Sequence, residues 1–211
     1  MGRHPVVFLD RDGTINEEVG YLNHVDRFLL LPRSGAAIRR LNDHDFKVVV
    51  ITNQSGVARG YFPESLVLQV HEKMKDLLAG EGARLDGVFY CPHHPDSASP
   101  LYRQRCRCRK PETGLIERAE EELDLDLSRS YMIGDRGVDV AFGRSLGVRG
   151  VLVLTGYGKG EWTYLREAWK VMPEHVASDL YEAVEWILQQ EKVKACRGTG
   201  DNTNTTRSEG G

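Results

Sequence analysis

The stretch VVFLDRDGT, residues 6–14, joins a short apolar run to two closely spaced aspartates. The four apolar residues Val6–Leu9 are unbroken, which is typical of a strand that is covered on both faces of a parallel sheet. Asp10 follows this run directly, and Asp12 comes two residues later. In open sheets of this kind, ligands bind outside the carboxyl ends of the strands. The stretch therefore predicts a buried strand that delivers carboxylates to a binding site.

Short apolar runs of the same kind recur along the chain and alternate with helical patterns. The expected strands are Val6–Leu9, Val48–Ile51, Val88–Tyr90, Tyr131–Ile133 and Val151–Leu154. The expected helices are Gly35–Leu41, Glu64–Leu78, Glu112–Leu123, Val138–Leu146 and Glu182–Gln190. This alternation predicts an α/β fold with a doubly wound, mostly parallel sheet.

The composition is that of an ordinary globular protein, with 211 residues, 40% of them hydrophobic, 28% charged, and a net charge of −3. We expect a single domain over residues 1–194 and a disordered tail over 195–211, because the tail has almost no large apolar side chain. The slightly acidic balance argues against binding to nucleic acid or to a membrane surface. Since no apolar run approaches about 18 residues and no secretion signal is present, we expect a cytoplasmic protein. The lack of a long exposed apolar stripe favours a monomer.

Polar side chains follow three of the predicted strands. Asp10 and Asp12 follow the first strand, Thr52 follows the second, and Asp135 follows the fourth, with Asp139 four residues further on. Carboxylates that converge repel one another unless a hard cation lies among them, and Mg²⁺ suits such oxygen ligands. A carboxylate nucleophile, a metal, and hydroxyl and lysine donors form a set for phosphoryl transfer. A lone D-x-D pair is most often a turn or a helix cap, but here its position after a buried strand favours a site.

A second cluster of candidate ligands has the spacing C-x-H-x12-C-x-C. It comprises Cys91, His93, Cys106 and Cys108. Three thiolates and one imidazole form a closed tetrahedral set, which is typical of a structural Zn²⁺ site. His94 is the competing imidazole, and we favour His93 because its spacing from the first cysteine matches the C-x-C pair. Three unrelated free thiols are the alternative interpretation.

The predicted zinc loop, residues 91–110, leads directly to Arg109 and Lys110. A long loop without secondary structure is uncommon in a compact domain, so a metal clamp would account for its length and would position Lys110. Arg109 and Lys110 indicate contact with a phosphate. A guanidinium can bind a phosphate through two hydrogen bonds, and an ammonium binds it as a point charge. The other arginines of the loop suit either a solvated surface or anion contact; they are Arg103, Arg105 and Arg107.

These motifs together resemble those of the haloacid dehalogenase superfamily of phosphatases. The resemblance spans about residues 6–155 and rests on Asp10-Arg11-Asp12-Gly13-Thr14, Thr52-Asn53, Lys110, and Gly134-Asp135 with Asp139. It implies that Asp10 is the nucleophile, that Asp12 is the general acid and base, and that Thr52 and Lys110 hold the phosphoryl oxygens. It also implies a Mg²⁺ ion held by Asp10, the Asp12 backbone carbonyl and Asp135, with Asp139 as a less certain ligand.

The zinc loop resembles that of a small branch of the superfamily without a cap domain. Two activities occur in this branch: removal of the 7-phosphate of a heptose bisphosphate, in nucleotide-activated heptose biosynthesis, and hydrolysis of histidinol phosphate. The stretch Asn53–Gly60 is similar to the heptose enzymes, which makes a phosphorylated sugar the expected partner, whereas Arg136 is as in the histidinol enzymes. Analogy with the branch assigns the substrate contacts to Glu18, Tyr21, Asn53, Ser55, Arg59, Arg109, Lys110 and Arg136.

A non-enzymatic function is the remote alternative. In that case the chain would be a zinc-loop binding module whose basic residues dock nucleic acid. The loop has no aromatic residues interleaved with its arginines at 103–109, and the chain has no net positive charge. Both features argue against this alternative.

Overall fold

The computed structural model describes residues 3–198 and contains one six-stranded sheet. Its strands are β1 (His4–Leu9), β2 (Lys47–Asn53), β3 (Gly87–Cys91), β4 (Leu125–Gly134), β5 (Arg149–Val153) and β6 (His175–Ala177). They lie in the order β3-β2-β1-β4-β5-β6, and every neighbouring pair is parallel. The predicted doubly wound, mostly parallel sheet is confirmed.

In the described part of the chain, six α-helices connect and cover the strands. They are α1 (Ser34–Asn42), α2 (Glu64–Gly80), α3 (Gly114–Glu122), α4 (Gly137–Ser145), α5 (Gly158–Tyr164) and α6 (Leu180–Gly198). Within residues 3–198, the connections between β1, β2, β3 and β4 contain short helices and loops and no cap domain. The site at the end of the sheet is therefore shaped by local loops.

Two elements, α5 and β6, were not predicted from the sequence. The helix α5 has the sequence GKGEWTY, in which two glycines weaken the helical pattern. The strand β6 has only three residues, too few for a period-2 pattern to be recognised. Both lie in the connections that follow β5.

The last helix corrects the predicted start of the tail. α6 continues to Gly198, so it includes residues 195–198, which the sequence assigned to a disordered segment. The rest of the predicted tail, residues 199–211, lies outside the described residues.

Side chains alternate between two apolar cores, one on each face of the sheet. Val7 and Leu9 of β1 pack with α1, α2 and α6, whereas Val6 and Phe8 pack with α3 and α4. All four side chains are fully buried. Because both faces are covered, the stretch Val6–Leu9 has no polar side chain before the chain leaves the sheet at Asp10.

The strand order reverses direction between β1 and β4, which are neighbours in the sheet although they are distant in sequence. A crevice forms at the carboxyl end of such a switch point, because the connections leave the two strands toward opposite sides. The backbone N–H of Asp10 donates to the carbonyl of Ile133 at 2.9 Å, which fixes the two strand ends beside each other. Asp10 and Asp135 therefore meet at this point.

No helix in the described range combines the length and the apolar character needed to cross a bilayer.

Two leucines of α2 test how the core stabilises the fold. Leu78 is 1% exposed and Leu68 is 51% exposed. We expect Leu78→Ala to lower the free energy of unfolding by about 2–5 kcal/mol, because it leaves a cavity. Leu68→Ala on the same helix is the matched control and should change that free energy by less than about 1 kcal/mol. Urea denaturation measures both, and equal effects would contradict the assignment of the core.

Candidate active site

Lys110 lies at the centre of the polar groups at the sheet edge. Its Nζ donates to an oxygen of Asp10 at 2.6 Å and to an oxygen of Asp139 at 2.6 Å. Burial alone would lower the pKa of this ammonium, but the two carboxylates outweigh it and raise the pKa. Lys110 therefore stays charged while it is buried. A buried ammonium at this point attracts an anion such as a phosphoryl group.

Asp10 and Asp135 hold more negative charge than Lys110 offsets. Burial raises the pKa of Asp10 to about 6 despite the neighbouring ammonium. Burial and the charge of Asp10 raise the pKa of Asp135 to about 8. Both shifts mean that the ionised carboxylates need further positive charge in this environment.

The carboxylates form an oxygen-rich set that fits a hard cation. Asp10, Asp135 and Asp139 each offer an oxygen, and these oxygens lie within 4.8 Å of one another. The Oδ2 atom of Asp139 is buried and has no hydrogen-bond partner. Side-chain oxygens in this number, with one left unpartnered, suit Mg²⁺, which also keeps positions for water and phosphate.

Two glycines allow the chain to pack closely around Asp135. A Cβ atom on Gly13 or on Gly156 would lie 2.2 Å from Oδ2 of Asp135. Both glycines have positive φ values, 78° and 53°. The same carboxylate oxygen accepts the backbone N–H of Tyr157 at 2.8 Å. Asp135 is thus held in a tight backbone cradle that other residues would fill.

The carboxylate of Asp12 is held by three donors. Arg11 donates to it from Nε and Nη2, at 2.7–3.2 Å, and Asn16 donates at 3.0 Å. Gln54 Nε2 donates to the second oxygen at 2.9 Å. Burial would raise the pKa of Asp12, but the charge of Arg11 and these hydrogen bonds outweigh it, so the pKa lies below its usual value. Asp12 is therefore held in its ionised form, which can accept a proton.

The last two residues of β2 organise the neighbouring part of the site. Thr52 is buried, and its Oγ1 accepts the second hydrogen bond of the Gln54 amide at 3.0 Å. The Asn53 side chain donates to the carbonyl of Lys110 at 3.2 Å and accepts the backbone N–H of Lys110 at 3.0 Å. Asn53, predicted as a substrate contact, thus fixes the backbone that carries the lysine. Gln54 was not predicted, although it follows the Thr52-Asn53 motif directly.

A cavity of about 250 Å³ opens above these groups. The predicted residues that line it are Asp10, Asp12, Glu18, Tyr21, Thr52, Asn53, Ser55, Arg109, Lys110, Asp135, Arg136 and Asp139. Tyr157 lines it as well and was not predicted. Arg59 is the exception among the predicted contacts: it is absent from the lining, and its Nη2 lies 3.1 Å from Nε2 of His94.

The rim of the cavity carries aromatic and cationic side chains. The Tyr21 ring packs edge-on against Tyr61 with centroids 4.6 Å apart. Arg136 donates from Nε to Glu161 at 2.9 Å, and its guanidinium lies 5.1 Å from the centre of the Tyr157 ring. Glu161 belongs to α5, which the sequence did not predict, and its other oxygen accepts the N–H of Gly137 at 2.7 Å. The α5 segment therefore orients a predicted substrate-binding arginine.

The second predicted cluster also comes together in space. The four residues are Cys91, His93, Cys106 and Cys108, and their ligand atoms lie within 4.8 Å of one another. The three sulfur atoms are 3.1–3.4 Å apart, well beyond the roughly 2.05 Å of a disulfide. His93 presents Nδ1 to the sulfur of Cys108 at 3.3 Å. One nitrogen and three free thiols at these separations fit a tetrahedral Zn²⁺ site.

Two tyrosine hydroxyls, one from β3 and one from the cysteine-bearing loop, connect this region to the helix α2. Tyr90 of β3 donates to one oxygen of Glu64 at 2.9 Å, and Tyr102 of the loop donates to the other at 3.0 Å. Burial also raises the pKa of the Cys91 thiol in the cluster, and a bound dication would reverse this by favouring the thiolate. The loop is thus fixed to the domain at one end of α2 and at the cluster.

Comparisons with protein families agree with this architecture. The family model described as HAD-hydrolase-like matches residues 107–183. The model described as polynucleotide kinase 3 phosphatase matches residues 6–144, which is more than half of the chain.

Individual relatives match over nearly their whole length. The D-glycero-β-D-manno-heptose-1,7-bisphosphate 7-phosphatase of Photorhabdus laumondii is 41% identical over 183 residues, which cover 87% of this chain and 96% of the relative. The D-glycero-D-manno-heptose-1,7-bisphosphate 7-phosphatase of Thermosynechococcus vestitus is 40% identical over 191 residues, with 87% and 95% covered.

A solved structure shows the same similarity. The D,D-heptose 1,7-bisphosphate phosphatase from B. bronchiseptica, complexed with magnesium and phosphate, aligns with a TM-score of 0.76 and 34% identity over 88% of this chain and 99% of that one. The fold, the converging carboxylates and these relatives lead to one conclusion. This chain is a phosphoric monoester hydrolase and belongs to the heptose-1,7-bisphosphate 7-phosphatase family of the haloacid dehalogenase superfamily.

Proposed function

We propose that this enzyme removes the 7-phosphate of D-glycero-D-manno-heptose 1,7-bisphosphate in a Mg²⁺-dependent reaction through an aspartyl-phosphate. The observation that carries the proposal is the buried Lys110 between Asp10 and Asp139, at the switch point of the sheet. This set binds a phosphoryl group beside a carboxylate nucleophile. The substrate is supported by full-length relatives that are named for this activity.

Each side chain has a defined task in the proposed reaction. An oxygen of Asp10 attacks phosphorus, the bond from phosphorus to the sugar oxygen breaks, and Asp12 gives that oxygen a proton. Asp12 then takes a proton from water as the water oxygen attacks phosphorus and the bond to Asp10 breaks. Thr52 and Lys110 hold the phosphoryl oxygens in both steps. The lowered pKa of Asp12 favours its ionised form, which is the form that takes a proton from water in the second step.

Mg²⁺ would be held by Asp10, Asp135 and the backbone carbonyl of Asp12. When bound, the ion reduces the repulsion between the nucleophile and the phosphoryl oxygens. The raised pKa values of Asp10 and Asp135 and the tight cradle of Gly13 and Gly156 support this site. Asp139 meets Lys110 through Oδ1 at 2.6 Å, and its buried, unpartnered Oδ2 makes it a further candidate ligand.

Arg109 and Arg136 are the proposed contacts of the distal phosphate. Both line the cavity, and Arg136 is held by Glu161 through Nε, which leaves its terminal nitrogens available. A second phosphate on the substrate would pair with these two guanidinium groups. Histidinol phosphate has no second phosphate and cannot make this contact. Removal of the 7-phosphate leaves a sugar 1-phosphate, the form from which a nucleotidyltransferase makes an activated sugar. We therefore assign the reaction to nucleotide-activated heptose biosynthesis.

A substrate panel tests the proposed specificity. We expect kcat/KM for the heptose 1,7-bisphosphate to exceed that for histidinol phosphate by at least about a hundredfold, because the distal phosphate meets two arginines. Asp10→Asn, which keeps the shape of the side chain, should lower phosphate release at least about a thousandfold. The reverse substrate preference would make the chain a histidinol-phosphate phosphatase. A binding module would show no phosphate release in any variant.

The metal dependence is tested at Asp135. Asp135→Asn should raise the Mg²⁺ concentration for half-maximal activity by at least about tenfold, because it weakens a ligand. Asp126→Asn, at the opposite end of β4, is the matched control and should leave the Mg²⁺ requirement unchanged. An unaltered requirement in Asp135→Asn would exclude this residue as a ligand.

Zinc is proposed as the clamp of the cysteine-bearing loop. We expect about one zinc per chain by elemental analysis, and Cys106→Ser should lose it, lower the melting temperature by about 5 °C or more, and reduce activity. Activity should fall because the loop carries Lys110 into the site. Cys196→Ser changes a cysteine outside the four-residue set and serves as the control. Full activity of zinc-free protein would contradict the supporting role of the loop.

A further inference from the structure

Arg11 is a buried cation that the proposed reaction does not use. It lies between Asp10 and Asp12 in the chain, and it is the largest of the fully buried side chains, with 1% of its surface exposed. A buried guanidinium is costly unless it is paired and hydrogen-bonded. Its place beside the site therefore calls for a reason beyond packing.

The contacts of Arg11 are concentrated on Asp12. Nε donates to Oδ1 at 3.2 Å, and Nη2 lies 2.8 Å from Oδ1 and 2.7 Å from Oδ2. This side-on geometry restrains the rotation of the carboxylate more than a single hydrogen bond does. Without it, only the neutral amides of Asn16 and Gln54 would hold Asp12.

His71 completes the coordination of Arg11 from a distant part of the chain. Its Nε2 lies 3.3 Å from Nη1 of Arg11, and the two residues are 60 positions apart in sequence. Arginine has no acceptor atom, so Nε2 must be the unprotonated acceptor and His71 must be neutral. Burial and the charge of Arg11 keep the pKa of His71 at about 3, which agrees with that state. The ring is 3% exposed and packs edge-on to Tyr90 with centroids 5.3 Å apart.

We propose that Arg11 and His71 are positioning residues that hold the carboxylate of Asp12 in place for its proton transfers. His71 on α2 fixes the guanidinium plane, and that plane fixes Asp12. The inference rests on the proposed function in one respect, the role of Asp12 as general acid and base. It adds two residues that are not among those lining the cavity.

Comparison of two substrates separates this role from a structural one. With p-nitrophenyl phosphate, attack by Asp10 expels nitrophenolate with its electron pair, and this weakly basic group needs no proton. Formation of the aspartyl-phosphate is then independent of Asp12. Its hydrolysis still needs Asp12 to take a proton from water. A sugar phosphate needs Asp12 in both steps.

The test is stopped-flow and steady-state kinetics of His71→Leu and His71→Gln. His71→Leu removes the acceptor for Arg11, and we expect steady-state turnover of both substrates to fall by about tenfold to a hundredfold, part of the 10²–10⁴ attributed to acid–base catalysis. With p-nitrophenyl phosphate the same variant should release the first equivalent of nitrophenol at nearly the wild-type rate, followed by the slow phase. His71→Gln offers an amide oxygen to Nη1 and should recover most of the loss.

A matched control accounts for destabilisation. Ser130 is 1% exposed and accepts the backbone N–H of Val6 at 3.0 Å, near the opposite end of the sheet. Ser130→Ala should lower the melting temperature without changing either kinetic phase. If His71→Leu does not fold, Arg11→Lys tests the same point, because it keeps the charge and loses the side-on pair.

Three outcomes would overturn the proposal. Wild-type turnover in folded His71→Leu or Arg11→Lys would show that the contact does not position Asp12. Equal slowing of the first and later turnovers would indicate a general distortion of the site. Failure of Gln to recover activity would remove the hydrogen bond as the cause. Failure of the proposed function has a different signature: the wild-type protein would release no phosphate or would prefer histidinol phosphate, or Asp10→Asn would keep its activity.

Discussion

Like charges gathered in a buried space are the constraint around which this site is built. Asp10, Asp135 and Asp139 converge at the carboxyl ends of β1 and β4, where water offers little compensation. One ammonium, that of Lys110, contacts two of the three carboxylates. The remaining negative charge suits the proposed Mg²⁺ ion, and that ion together with Lys110 would attract a phosphate. The same uncompensated carboxylate charge would therefore govern both metal binding and substrate binding.

The loop from Cys91 to Lys110 follows from that requirement. A lysine that must be buried at a fixed point cannot depend on a mobile segment, since ordering a loop costs conformational entropy with every binding event. Three contacts limit the freedom of this loop: the four-ligand cluster, the two hydrogen bonds of Asn53 to the backbone of Lys110, and the hydroxyl of Tyr102 on Glu64. The lysine therefore reaches the site already ordered.

Much of the sheet and of the carboxylate cluster could be predicted because local sequence patterns specify them. A buried strand followed by Asp10, or by Asp135, is recognisable within a few residues, and parallel topology brings both strand ends to one edge. The contacts that depend on distant residues were not predictable in that way. Arg11 and His71 are 60 positions apart, and only the path of α2 brings them together. Likewise, Asn53 suggested a substrate contact by its motif, whereas its amide is occupied by the backbone of Lys110. Pattern reveals which groups reach the site, and tertiary packing determines what each one does there.

The open architecture around β1–β4 sets how this enzyme distinguishes one phosphate ester from another. Within residues 3–198 no second domain closes over the cavity, so the entrance is formed by side chains that stand on rigid elements, among them Tyr21, Arg136 and Tyr157. Selection among esters then depends on the side chains at the rim, which are separate from the carboxylates and the lysine beneath them. Exchange of rim side chains would then change the accepted ester without altering Asp10, Lys110 or Asp135 beneath them. A scaffold of this kind lends itself to divergence by small steps.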